Sequence, residues 1–179
     1  MLFRFSVWLM LLFVFFSNPR FATADETIDT LFSRAQSGDA DAQWRLAMEY
    51  QQARRVKLDP KLAAYWYGQA ALQKHPDALN SLAIMYNNGD GVQKDVTRAI
   101  ALYTAAADAG SAAAQTNLAA IFFYGSGVER NYERAAELYL LAAKSGMPYA
   151  QHQIALMHET GLGVGQDYRK AAYWYEQAV

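Results

Sequence analysis

Apolar residues along this chain fall into a pattern that repeats every thirty-six positions. Ala42, Ala78, Ala114 and Ala150 share one phase of the period; Leu46, Leu82, Leu118 and Ile154 share another. A third phase carries Ala63, Ala99, Ala135 and Ala171, each followed four residues on by a tyrosine: Tyr67, Tyr103, Tyr139 and Tyr175. Within one copy, Ser111–Gly146, the spacing splits into two helical halves. Ala114, Leu118, Ile121 and Phe122 lie at i, i+4, i+7 and i+8, which draws an apolar stripe down one side of a helix. Gly125-Ser126-Gly127 then breaks it, and Val128 is expected to plug the corner from inside. The second half opens on a side-chain cap, because Asp59, Asp95, Asn131 and Asp167 stand in one phase and their oxygens can accept from the unpaired amides of a first turn. It should bury Ala135, Leu138, Tyr139, Ala142 and Ala143 and stop at Gly146, as the copy before stops at Gly110; Lys74 holds that place in the first copy. One such helix pair cannot bury its own apolar face, whereas stacked pairs bury a continuous core, each touching only its neighbours. The pattern therefore predicts an all-α solenoid of antiparallel helix pairs.

The motif A-x-x-x-L-A-x-x-[Y/F]-x-x-G-x-G-V, then D, then A-x-x-[W/L]-Y-x-x-A-A, resembles the Sel-one-like repeat (SLR), a relative of the tetratricopeptide repeat, over roughly Asp39 to Val179. The resemblance implies a right-handed superhelix used as a scaffold for protein complexes, often in bacterial cell-envelope and signalling proteins. Four copies are expected at 39–74, 75–110, 111–146 and 147–179. Ahead of them, residues 25–38 place Ile28, Leu31, Phe32 and Ala35 at helical spacing, in phase with a second helix, and read as a half-repeat that caps the stack. Two departures stand out. Ala47, Ala83, Ala119 and Ala155 replace a glycine frequent in the family, which should spread each pair slightly. Ala53 and Arg55 replace the corner glycines of the first copy, so its turn is in doubt and its first helix is free to run on.

Residues 1–24 differ from everything after them. Arg4 precedes an unbroken apolar run, Phe5–Phe16, and Ala22-Thr23-Ala24 forms an A-x-A site. The run is shorter than the ~20 residues of a membrane-spanning helix, so the segment reads as a secretory signal cut after Ala24, with a periplasmic or secreted product. Cleavage removes Arg4 and Arg20 from a chain whose net charge is already −1. That balance argues against nucleic acid or an anionic membrane as partner, since either would call for a basic excess. Cysteine is absent, which excludes a disulfide framework, a thiol nucleophile and a lipid-bearing Cys.

In-phase aromatics, among them Tyr50, Tyr86, Phe122, Trp66 and Trp174, read as packing between layers. Recognition should instead lie where copies differ. In related helix-pair solenoids the first helix of each pair lines the concave face. Its expected lining is Asp41, Trp44, Met48 and Gln51, then Asp77, Asn80, Ile84 and Asn87. Ala113, Thr116, Ala120 and Phe123 continue it, followed by Tyr149, His152, Leu156 and Glu159. Amides mixed with isolated apolar anchors suit an extended peptide or a partner helix. Trp44, Met48, Asn80, Ile84, Asn87, Thr116, Phe123, Tyr149 and His152 are the residues expected to bind. Arg54, Arg55, Lys57 and Lys61 form a basic group at the first corner, either solvated surface or a dock for an acidic partner.

Nothing in the motifs points to catalysis, a metal or a cofactor. His75 precedes Pro76 at a helix start, His158 takes a packing phase, and His152 and Glu159, seven residues apart, lack a third ligand. The glycine pairs follow helices and lack the lysine of a phosphate loop. The chain thus reads as an exported scaffold or adaptor that binds a protein or peptide in its concave groove. The alternative is a cell-wall protein of the same repeat family that binds or hydrolyses peptidoglycan or a β-lactam.

Overall fold

The computed structural model describes residues 27–178, so the expected signal segment lies outside the described residues. Among those described there are nine helices and no strand: α1 (Ile28–Gln36), α2 (Ala40–Gln52), α3 (Pro60–Leu72), α4 (Pro76–Asn88), α5 (Val96–Asp108), α6 (Ala112–Tyr124), α7 (Tyr132–Lys144), α8 (Pro148–Thr160) and α9 (Tyr168–Gln177). The main contacts join consecutive helices, and α4 also touches α6, the first helix of the next pair. Distant copies do not pack together; the fold is a repeat solenoid.

Capping sets the start of each helix. Asp59, Asp95 and Asn131 each accept from the backbone amide three residues on, at 3.0, 2.9 and 2.8 Å. Asp167 accepts from the amides of Arg169 and Lys170. The first helices are capped as well, by Asp39, by Ser111 and by the Nδ1 of His75, which accepts from the Ala78 amide at 3.3 Å. The helix-start role expected of His75 is therefore direct. A side-chain cap contributes about 1 kcal/mol. Only α8 lacks one among these, and there Pro148 sits in the first turn, where its missing N–H costs nothing.

Every alanine and leucine of the repeating phases is buried, as are Tyr67, Tyr103 and Tyr139. Tyr175, last of that series, is half-buried. A further in-phase residue ties each layer to the one before. The Nε2 of Gln43, Gln115 and Gln151 donates to the carbonyls of Ala35, Ala107 and Ala143 at 3.1, 3.3 and 3.1 Å. Leu79 holds that phase at the second junction and is buried instead.

The first corner departs from expectation. Its helix does not run on: α2 ends at Gln52 with the thirteen residues of the other first helices. Ala53 takes the left-handed conformation (φ 51°, ψ 37°) that Gly89, Gly125 and Gly161 take later. That strain costs an alanine roughly 1–2 kcal/mol. Two positions on, the requirement for glycine is one of space. A Cβ at Gly91 would run into the Pro60 carbonyl, and one at Gly163 into the Tyr132 carbonyl, because each corner rests on the start of the second helix one repeat earlier. No described residue occupies that place ahead of Arg55, since α1 begins only at Ile28. Arg55 turns back to Glu49 instead, with Nη2 2.7 Å from Oε1.

Candidate functional site

The first helices α2, α4, α6 and α8 carry the residues expected to meet a partner. Trp44 is half-buried, and its ring stacks on His75 with centroids 5.5 Å apart and planes 21° apart. Its indole Nε1 is buried and makes no hydrogen bond. Met48 and Ile84 are half-buried against the core, the first on the N-terminal cluster and the second on the C-terminal one. The Asn80 Oδ1 accepts from the Asn117 Nδ2 at 3.0 Å, which joins α4 to α6 across a repeat boundary. Asn87 is half-buried and donates to its neighbour Asn88. Thr116 departs from the expected lining. It is buried, and its hydroxyl donates to the Ala112 carbonyl one turn back, a local bond open to threonine in a helix, so it has little to offer a partner.

On α8, Tyr149 and His152 are exposed. The His152 ring lies 5.3 Å from that of Tyr175, whose hydroxyl donates to the Glu159 Oε2 at 2.7 Å. His152 and Glu159 thus meet through a tyrosine of α9 rather than through a shared ligand. The bond to Glu159 raises the Tyr175 pKa, with burial and the carboxylate charge adding to it. Tyr67 makes the same joint in the first pair, donating to the Gln51 Oε1 at 2.7 Å. Burial pushes the Tyr67 and Tyr103 phenols up to about 12, in Tyr67 against a hydrogen bond with Ser81.

The third pair is different. Phe123 stands where Gln51 and Glu159 stand, so the buried Tyr139 hydroxyl has no acceptor on α6 and meets the phenol of Tyr149 instead. Around it the rings form a cluster: Phe123 lies 5.0 Å from Tyr124, 5.2 Å from Tyr132 and 6.4 Å from Tyr139, with Tyr139 6.3 Å from Tyr149. Burial, then the nearby phenols of Tyr149 and Tyr124 and a hydrogen bond with Tyr149, hold the Tyr139 pKa far above its usual 10. Tyr149 is raised as well, by burial and then by Tyr124. Reading by phase placed Phe123 and Tyr149 on this face but assigned Tyr139 wholly to packing and passed over Tyr124. The available signal was the phase Gln51, Asn87, Phe123, Glu159, where one hydrophobe interrupts a polar series.

At the first corner Arg54, Lys57 and Lys61 are exposed, while Arg55 is engaged by Glu49. Away from the first-helix face, a hollow of about 650 Å³ lies between α7 and α9 over Ile154, with Ala136, Leu140 and Trp174 among its walls. Another, of about 360 Å³, sits in the same phase between α3 and α5 over Leu82. Among the described residues no group of three His, Cys, Asp or Glu side chains could hold a metal. No described helix is long and apolar enough to cross a membrane.

Comparison with known proteins follows the repeat. The Sel1 repeat matches residues 40–75, 76–111, 112–147 and 148–179. Among solved structures, a Sel1 repeat protein from Oxalobacter formigenes is 28% identical, with a TM-score of 0.78 over 84% of this chain and 62% of that one. The protective antigen c5321 of uropathogenic Escherichia coli strains, which displays an SLR fold, is 32% identical. Its TM-score is 0.82 over 86% of this chain and 33% of its own. This chain therefore spans about three fifths of the first and a third of the second. No curated protein matches it. Four matched repeats, covering every helix from α2 to α9, make this chain a member of the Sel1 repeat family and a helical scaffold of that type.

Proposed function

We propose that this chain is an exported adaptor that holds a protein or peptide partner against its first-helix face, acting by binding rather than by chemistry. One observation carries the reading. The buried alanine, leucine and tyrosine phases keep their character from copy to copy, whereas other phases on the first helices change: Trp44 becomes Asn80, Thr116 and His152, and Gln51 becomes Asn87, Phe123 and Glu159. A constant wall bearing a varied surface is what selective recognition by a solenoid requires. The half-buried Trp44 and Phe123 supply anchors, and the amides of Asn80 and Asn87 supply directional contacts between them. Export rests on the apolar run Phe5–Phe16 and the A-x-A site ending at Ala24.

A pull-down from envelope extract tests the face, comparing wild type with Trp44→Ala/Asn80→Ala/Phe123→Ala. Loss of specific partners from the variant is expected; equal recovery by both proteins rejects this surface. N-terminal sequencing of the native protein tests export, with Asp25 as the expected first residue.

A further inference from the structure

One second helix presents an outer face unlike those of its counterparts. Along α3, Tyr65, Gly68 and Leu72 lie at i, i+3 and i+7, so they share one side of the helix. Tyr65 is 54% exposed and Leu72 80%. The same three places hold Ala101, Thr104 and Asp108 on α5, and Glu137, Leu140 and Lys144 on α7. Leu62, exposed beside them, stands in phase with Arg98, Arg134 and Lys170. Packing within the stack therefore asks for no apolar groups here, and an exposed apolar strip marks a contact surface. Gly68 adds a second sign. It sits mid-helix, where glycine is less favourable than alanine. Its φ is not positive, and a Cβ added to it would meet nothing within 4 Å. No described residue of its own chain needs that glycine. Its bare backbone opens the hollow of about 360 Å³ between α3 and α5, which Ala64, Leu72, Leu82 and Leu102 also line.

A glycine with no internal reason marks the close approach of something external. The helix itself supplies the complement. A second α3, turned antiparallel about a two-fold axis level with the bond between Trp66 and Tyr67, sets each Tyr65 over the other copy's Gly68. It also sets each Leu72 over the methylene stem of the other copy's exposed Lys61. Knob and hole then come from one helix in matching places, which is the self-complementarity a two-fold interface requires. The antiparallel arrangement also brings the start of each helix to the end of the other, as their dipoles favour. We infer that α3 is the contact through which two copies of this chain pair, with Tyr65 of each seated against Gly68 in the α3–α5 hollow of the other. The contact lies on second helices, apart from the first-helix face, and does not rest on the adaptor reading. Pairing there leaves both first-helix faces free, so that one dimer holds a bivalent target more tightly than either copy alone.

Sedimentation velocity over a concentration series tests it. The purified chain is expected to pass from monomer to dimer in the micromolar range, as a small interface built on one helix pair should. Tyr65→Ala and Leu72→Lys, which copy Ala101 and Lys144, should each weaken pairing about tenfold or more. Gly68→Leu, which copies Leu140, should block pairing while the melting temperature of the dilute monomer stays level or rises. A glycine kept for the fold alone would instead lose stability on that change and leave association untouched. Because the chain has no cysteine, oxidising a mixture of Lys61→Cys and Leu72→Cys copies reads the direction of pairing. A disulfide between unlike copies is expected, with little from either variant alone. A chain monomeric at millimolar concentration, a dimer indifferent to these substitutions, or like copies cross-linked as readily as unlike ones overturns the inference. So does a monomer that captures an envelope protein through Leu72, which would make the occupant a foreign helix. The triple variant of the first helices judges the adaptor reading separately, by whether its envelope partners are lost.

Discussion

At the first corner of the stack Glu49 and Arg55 form an ion pair; at the next three the same two positions hold Met85 and Gly91, Ile121 and Gly127, Met157 and Gly163. The difference shows what the glycines are for. Gly91 and Gly163 lie against backbone of the preceding repeat and Gly127 against the Val96 side chain, so none has room for a Cβ. The first corner is under no such constraint from a described neighbour and accepts a long side chain. Glu49 takes a phase that is apolar core elsewhere and is itself buried. A carboxylate there is tolerable because Arg55 reaches it. The first corner thus differs from the later ones at both positions, with an ion pair in place of a glycine and a hydrophobe.

Five experiments break or sharpen that contrast. The largest effect is expected from Gly163→Ala. The added methyl meets the Tyr132 carbonyl at a left-handed φ of 68°, and should lower stability by about 3 kcal/mol, read from thermal unfolding by circular dichroism. A loss below about 1 kcal/mol would mean that the later corners do not need the close approach. Next comes Arg55→Ala, which strands the Glu49 carboxylate. About 2 kcal/mol is expected, less than for a fully buried pair because Arg55 is 40% exposed. The double variant Glu49→Met/Arg55→Gly, which copies the later corners, should recover that loss. Were it as unstable as the single variant, the two positions would not be coupled.

The same pair predicts a pH dependence. The hydrogen bond from Arg55, outweighing burial, holds the Glu49 pKa below its usual 4.5. A lowered folded pKa means that the stabilisation is complete above pH 4.5 and is lost as pH falls through the folded value. The Glu49→Met/Arg55→Gly variant should show a flatter acid limb in unfolding curves. A smaller effect separates the first and third tyrosine joints. Tyr67→Phe removes a well-formed hydrogen bond and should cost about 1 kcal/mol, whereas Tyr139→Phe removes a buried hydroxyl with no acceptor on α6 and should be close to neutral. Equal losses at both positions would show that Tyr149 holds Tyr139 as firmly as Gln51 holds Tyr67. The smallest change is Ala53→Gly, which relieves the left-handed alanine and should raise stability by roughly 0.5–1 kcal/mol in the same melting assay.

Much of this was legible in the chain itself, for a physical reason. A solenoid is held by contacts between neighbours, so whatever recurs at one spacing must be what those neighbours share. The period, the helix pairs, the caps at Asp59, Asp95, Asn131 and Asp167 and the buried alanine and tyrosine phases all follow from recurrence. The Gln43, Gln115 and Gln151 ties could have been found in the same way. Departures from the repeat were harder to read. Arg55 looked like one member of a basic cluster, because only the folded corner brings it back to Glu49. Thr116 looked like a groove residue, because its phase does not say that its hydroxyl is bound within its own turn. Tyr139 looked like core alone, because the acceptor it lacks is set sixteen residues earlier in the chain, at Phe123. Repetition along the chain decides the architecture through what the copies have in common. The consequence of a substitution in one copy depends on which side chains the stack sets beside it, and only the tertiary structure decides that.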